Sequence, residues 1–129
     1  AGMIKVWMGR TALTVRGHAG FSRYGSDIVC AAASMLAFAL AEAVQAAGLK
    51  TPPVIESGCG SFRLEAFADG QEQARLDGMF ETVRAGYRLL AARYPDYVRV
   101  LGERDPENMM QKPERRPLKG QKEEAYGEI

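Results

Sequence analysis

One imidazole and two thiols, His18, Cys30 and Cys59, are the side chains best suited to nucleophilic chemistry. His18 and Cys30 stand twelve residues apart in the stretch GHAGFSRYGSDIVCAAAS, residues 17 to 34. Gly17 precedes the histidine, Gly20 and Gly25 interrupt the segment between the two, and an apolar, alanine-rich run begins just before the cysteine. Ser26 or Asp27 is placed to cap a helix there. A thiol in the first helical turn meets backbone N–H groups without partners and the positive end of the helix dipole, so the thiolate is expected to be favoured. An imidazole within reach can take the thiol proton and return it to a leaving amine. This arrangement casts Cys30 as nucleophile and His18 as base and then acid. The helix-start amides would hold an oxyanion. Asp27 could orient the imidazolium, and Ser34, one turn on, could hydrogen-bond the sulfur.

Each of these residues also has a plainer explanation. A cysteine on an apolar helix is commonly a small buried hydrophobe. An aspartate before a helix is commonly only a cap. Ser34 suits a solvent-facing stripe or a bond back to the helix backbone. His18 could be an ordinary exposed loop residue. The three glycines imply a mobile loop that admits substrate, with His18 too far from Cys30 for a hydrogen bond before substrate arrives.

The elements that must position these groups follow from periodicity. Residues 3–8, MIKVWM, put Ile4, Val6 and Met8 on one face and Lys5 and Trp7 on the other. Gly9-Arg10 turns the chain and ALTVR at 12–16 alternates again, which predicts a β-hairpin. A helix follows to about Ala47, stopped by Gly48. It is apolar almost all round and is expected to be mostly buried. Its polar residues Asp27, Ser34, Glu42 and Gln45 share one stripe, with Cys30 at the edge. Residues 54–68 predict two short strands broken at SGCGS, where Gly58 and Gly60 suggest a tight bend around Cys59. From Glu72 to about Tyr94 a second helix carries Leu76, Phe80, Val83, Tyr87, Leu90 and Tyr94 at 4-3-4-3-4 spacing. Pro95 ends it, and YVRVL at 97–101 predicts a last strand. The order β-β-α-β(β)-α-β gives an α+β two-layer sandwich. It has two long helices and a mixed or mainly antiparallel sheet of four to five strands.

Composition narrows the function further. With 129 residues the chain is expected to form one domain, residues 3–102, followed by a disordered charged tail at 103–129. Ala1-Gly2 is left outside that fold. The net charge of +1 gives no basic field for nucleic acid or a membrane surface. Ser34, Glu42 and Gln45 interrupt the longest apolar run, so no membrane span and no leader are expected, and a cytoplasmic location is the default. A single histidine and two separated cysteines lack metal-ligand spacing. Glycine loops followed by Lys-Ser/Thr are absent, so neither metal nor cofactor is expected. Arg63, Arg75, Arg84, Arg88 and Arg93 suggest a mostly solvated helix face.

The 17–34 stretch resembles the signature of the ribosomal-processing cysteine protease family, Prp: G-H-A, five variable residues, G-x-D-I-V-C-A-A, then a small residue and Ser. Gly17, His18, Ala19, Gly25, Asp27, Ile28, Val29, Cys30, Ala31, Ala32 and Ser34 match, and Ala33 stands where valine is common. YPDYVRV at 94–100 is similar to the family's helix end and last strand. The resemblance covers about residues 3–101. It implies a small cytoplasmic endopeptidase with His18 and Cys30 as its dyad, supported by Asp27 and Ser34. It also implies a homodimer with a flexible loop over the site. The expected partner is a protein substrate, either the N-terminal extension of a ribosomal large-subunit protein or a phage capsid or scaffold protein. SGCGSFRLEAFADG and the tail depart from the family pattern. Two alternatives remain at this point: a non-catalytic, chaperone-like binding partner of a ribosomal or viral structural protein, and a redox-sensing thiol with Cys59 as resolving residue.

Overall fold

The computed structural model describes residues 2–23 and 25–102; the expected tail at 103–129 lies outside them. Seven elements follow in chain order: β1 Ile4–Gly9, β2 Ala12–Arg16, α1 Ile28–Ala46, β3 Val54–Gly58, β4 Ser61–Glu65, α2 Gly70–Arg93 and β5 Val98–Gly102. The five strands form one mixed sheet in the order β3-β4-β2-β1-β5. Three neighbouring pairs are antiparallel, and β5 joins β1 in parallel. A parallel neighbour requires a crossover, which here includes α2. The α+β two-layer architecture expected from the element order is the one the chain adopts.

The sheet has one greasy face. Ile4, Val6 and Met8 of β1, Leu13 and Val15 of β2, Phe62 and Leu64 of β4, Ile55 of β3 and Val98 of β5 are buried with both helices in a single core. The α2 stripe supplies Leu76, Phe80, Val83, Tyr87 and Leu90 to it. Each large apolar side chain fully buried this way contributes roughly 1.5–3 kcal/mol. The Tyr87 hydroxyl, deep between the helices, donates to the Ala33 carbonyl of α1 at 2.8 Å, which removes the cost of burying an unpaired polar group.

Several expectations need correction. The helix α1 buries one face, not most of its surface: Val29, Ala33, Ala37, Leu40, Ala41 and Val44 are inside. Ile28 and Met35 are 57% and 65% exposed. Ser34, Glu42 and Gln45 also interrupt it less than expected, because α1 is long and apolar enough to cross a bilayer by length and composition. Its apolar inner face is nevertheless accounted for by packing on the sheet and α2. Arg63 does not belong to a solvated helix face. It lies on β4, with 17% of its side chain exposed and its guanidinium between Glu56 and Glu65, 2.9 and 3.0 Å away.

Candidate active site

The start of α1 is fixed by Asp27. Its Oδ1 accepts the N–H groups of Val29 and Cys30, both at 3.0 Å, as an N-cap should. Its Oδ2 accepts the N–H groups of Phe21 at 2.9 Å and Ser22 at 3.3 Å. One carboxylate therefore ties the incoming loop to the helix. Burial tends to raise its pKa, but the amides of Cys30, Ser22, Phe21 and Val29 outweigh that and hold it below the ordinary carboxylate value. The loop gains a second anchor from Phe21. Its ring meets Tyr94 and Tyr97 edge-on, with centroids 5.6 and 5.1 Å apart. Gly17, Gly20 and Gly25 all adopt positive φ.

Cys30 lies in the first turn of α1, as expected, and is half-buried. The Ala19 N–H donates to its Sγ at 3.3 Å. The expected lowering of the thiol pKa is not found. Burial pushes the thiol up, the Ala19 N–H pulls it down, and the nearby Asp27 carboxylate pushes it up again. Burial is the main reason, and the cap adds to it: Asp27 places a negative charge at the helix start and occupies the Val29 and Cys30 amides. Those two amides are likewise not free to hold an oxyanion.

His18 is exposed and makes no hydrogen bond with Cys30. Its Nε2 lies instead 3.8 Å from the Sγ of Cys59, in the turn between β3 and β4. Main-chain contacts hold the backbone around it. The Gly17 N–H donates to the Gly60 carbonyl at 2.8 Å, one step beyond the Arg16–Ser61 pair of the β2–β4 ladder. Gly2 also belongs to the fold, because a Cβ there would collide with the His18 carbonyl oxygen. Ser34 is half-buried and makes no hydrogen bond to the sulfur. Among the described residues no cluster of three or more metal-ligating side chains forms.

The arrangement thus puts a histidine with a tethered backbone one residue from an amide that touches a helix-start thiol. Cys59, which the sequence offered as a bend residue or as a resolving thiol for Cys30, is instead the neighbour of His18. Nothing local to SGCGS signals this, since the pairing of β2 with β4 brings the turn to His18.

The two-layer α+β body carries a thiol at a helix start and a histidine on the loop that leads into that helix. The family model of cysteine protease Prp matches residues 3–99, and the chain belongs to that family. No curated protein matches it. Among solved structures, it is similar to the ribosomal processing protease Prp from S. aureus with a covalently linked product peptide. That match has 24% identity and a TM-score of 0.63, covering 80% of this chain and 100% of that one. The same S. aureus protease with a substrate peptide matches at 19% identity and a TM-score of 0.62, with the same coverage. SMU.848 from Streptococcus mutans matches at 23% identity and 0.58, covering 79% and 93%. These likenesses establish a shared fold.

Proposed function

We propose that this cysteine protease is an endopeptidase that removes the N-terminal extension of a ribosomal large-subunit protein, with Cys30 and His18 as its dyad. The observation that carries the dyad is the Ala19 N–H on the Cys30 sulfur, which sets the histidine's backbone next to the thiol. The Cys30 sulfur attacks the scissile carbonyl carbon as its proton passes to His18. The tetrahedral intermediate collapses as His18 gives that proton to the departing amine. Water, deprotonated by His18, then attacks the thioester and frees Cys30 and the carboxylate product. With the His18 ring resting on Cys59, it forms no ion pair with Cys30 in this structure, so in this reading the imidazole acts as a base during attack. The Val29 and Cys30 amides are engaged by Asp27, so the Ala19 N–H would serve the oxyanion by leaving the sulfur as the tetrahedral intermediate forms. Asp27 supports by fixing loop to helix. Ser34 lies one turn along α1 as a further supporting residue.

Residues 3–102 form the catalytic body in this reading. A cytoplasmic location and a homodimer belong to the same proposal, and exposed Ile28 and Met35 give α1 an apolar outer face for a second copy. A phage capsid or scaffold protein is the alternative substrate. The test uses the purified chain with peptides bearing the extension's cleavage sequence or the phage protein's junction. Wild type should cut one of them, whereas Cys30→Ala and Cys30→Ser should lower the rate on the order of 10³-fold or more. Unchanged cleavage in either variant removes Cys30 as nucleophile.

A further inference from the structure

We propose that Cys59 is a positioning residue that holds the His18 imidazole over the β3–β4 turn and so competes with Cys30 for it. This rests on the reading of His18 as the base. Three observations carry it. First, the main chain is tied on both sides of residue 18: Gly17 N–H to the Gly60 carbonyl at 2.8 Å, and Ala19 N–H to the Cys30 Sγ at 3.3 Å. The Gly2 backbone closes a third side. With the main chain held, the imidazole changes partner by rotating its own side-chain torsions.

Second, the turn is shaped to receive the ring. Gly60 has φ +76°, and a Cβ there would stand 3.0 Å from His18 Nε2. The positive φ favours glycine there, and a side chain would press the ring away from this position. Third, the Cys59 Sγ, on an exposed residue, lies 3.8 Å from the same nitrogen. A thiol is a weak donor and a weak acceptor, so it biases the ring without trapping it. Exposed side chains change rotamer quickly. The contact therefore sets the fraction of molecules whose imidazole faces Cys30, and apparent activity scales with that fraction.

The chain's single histidine makes the test direct. Proton NMR of the full chain follows the ring protons of His18 in wild type, Cys59→Ala and Cys59→Ser. Iodoacetamide labelling of Cys30 near neutral pH, read by peptide mass mapping, is run in parallel. In wild type the ring should show contacts to the β-protons of Cys59 and the α-protons of Gly60. Cys59→Ala should weaken the Gly60 contacts and speed Cys30 labelling by up to about fivefold, the size of one weak hydrogen bond. Cys59→Ser, which keeps a polar group, should restore the contacts. Ring contacts that do not change in Cys59→Ala, or Cys30 labelling that is unchanged or slower, would overturn the proposal. None of these readings needs turnover. A wild type that cuts no peptide while the ring responds as stated would remove the peptidase reading and leave the Cys59 contact standing.

Discussion

Both long helices begin after an aspartate, and the two starts behave differently. Asp27 before α1 is buried and accepts four backbone N–H groups, two from the helix and two from the loop. Asp69 before α2 is exposed and its side chain caps nothing. The same residue type in the same position does different work because of what folds back over it. At α1 the loop returns to the helix end, and the carboxylate becomes the joint between the two segments that carry His18 and Cys30. At α2 no segment returns to Asp69. The first turn there carries Glu72, whose carboxylate instead accepts the Lys50 N–H at 3.3 Å.

The largest break in this contrast is Asp27→Ala. It removes a cap and two loop bonds together, and should cost about 2–4 kcal/mol in urea unfolding. Peptidase activity should fall with it, since the Cys30 amide and the loop lose their common anchor. Asp27→Asn divides the joint in two. Its carbonyl oxygen can still accept from Val29 and Cys30, but its NH₂ group faces the Phe21 and Ser22 donors and cannot accept from them. The cap should survive while the loop loosens, so activity should fall more than stability.

Acid provides the next test. The Asp27 carboxyl titrates lower in the folded chain than in the unfolded one. As pH falls, the unfolded chain therefore takes up its proton first, and stability declines with pH. The contribution is complete above the ordinary carboxylate value, about 4, and is lost as pH drops through the lower folded value. Unfolding of wild type and Asp27→Asn followed across that window should show a shallower slope for the variant. Equal slopes would mean that the depression comes from elsewhere. Cys30 has the opposite sign. Its raised thiol favours the folded chain below the ordinary thiol range, and that advantage fades as pH climbs through the folded value.

A smaller effect asks whether the loop alone holds the α1 start. Tyr87 ties α2 to the Ala33 carbonyl, three residues after Cys30. Tyr87→Phe should cost about 1 kcal/mol and leave Cys30 labelling rates unchanged. A change in labelling would place part of the site's rigidity in the helix–helix contact.

What could be read from the residues follows the same division. The α2 stripe from Leu76 to Leu90 was legible because its spacing is the helix period, and the core took every one of those side chains. Asp27 was legible as a cap because the first turn lies within three residues of it. Its second oxygen was not, because the Phe21 and Ser22 amides reach it only through the loop's return. The thiol shift was misjudged because burial, which depends on how the loop and helix pack, raises it, and because a helix start favours an anion only until a carboxylate takes the position. The imidazole's resting place was hidden further still. It depends on β2 pairing with β4, and alternation within a strand does not say which strand lies beside it. The parallel β1–β5 pair was equally out of reach, since it is completed only after the chain has crossed through α2.

The smallest expected effect is at the other aspartate. Asp69→Ala removes a carboxylate near the α2 start without breaking a side-chain cap, so only its weak attraction to the helix dipole is lost. Stability should move by no more than about 0.5 kcal/mol, and peptide cleavage should not change. A loss as large as that of Asp27→Ala would mean that an N-terminal carboxylate stabilises either helix by charge alone. The loop bonds at Asp27 would then be incidental to its strength. A near-neutral result would instead assign the difference between the two starts to the four amides that Asp27 accepts, the Val29 and Cys30 cap together with the Phe21 and Ser22 contacts that join the histidine's loop to the cysteine's helix.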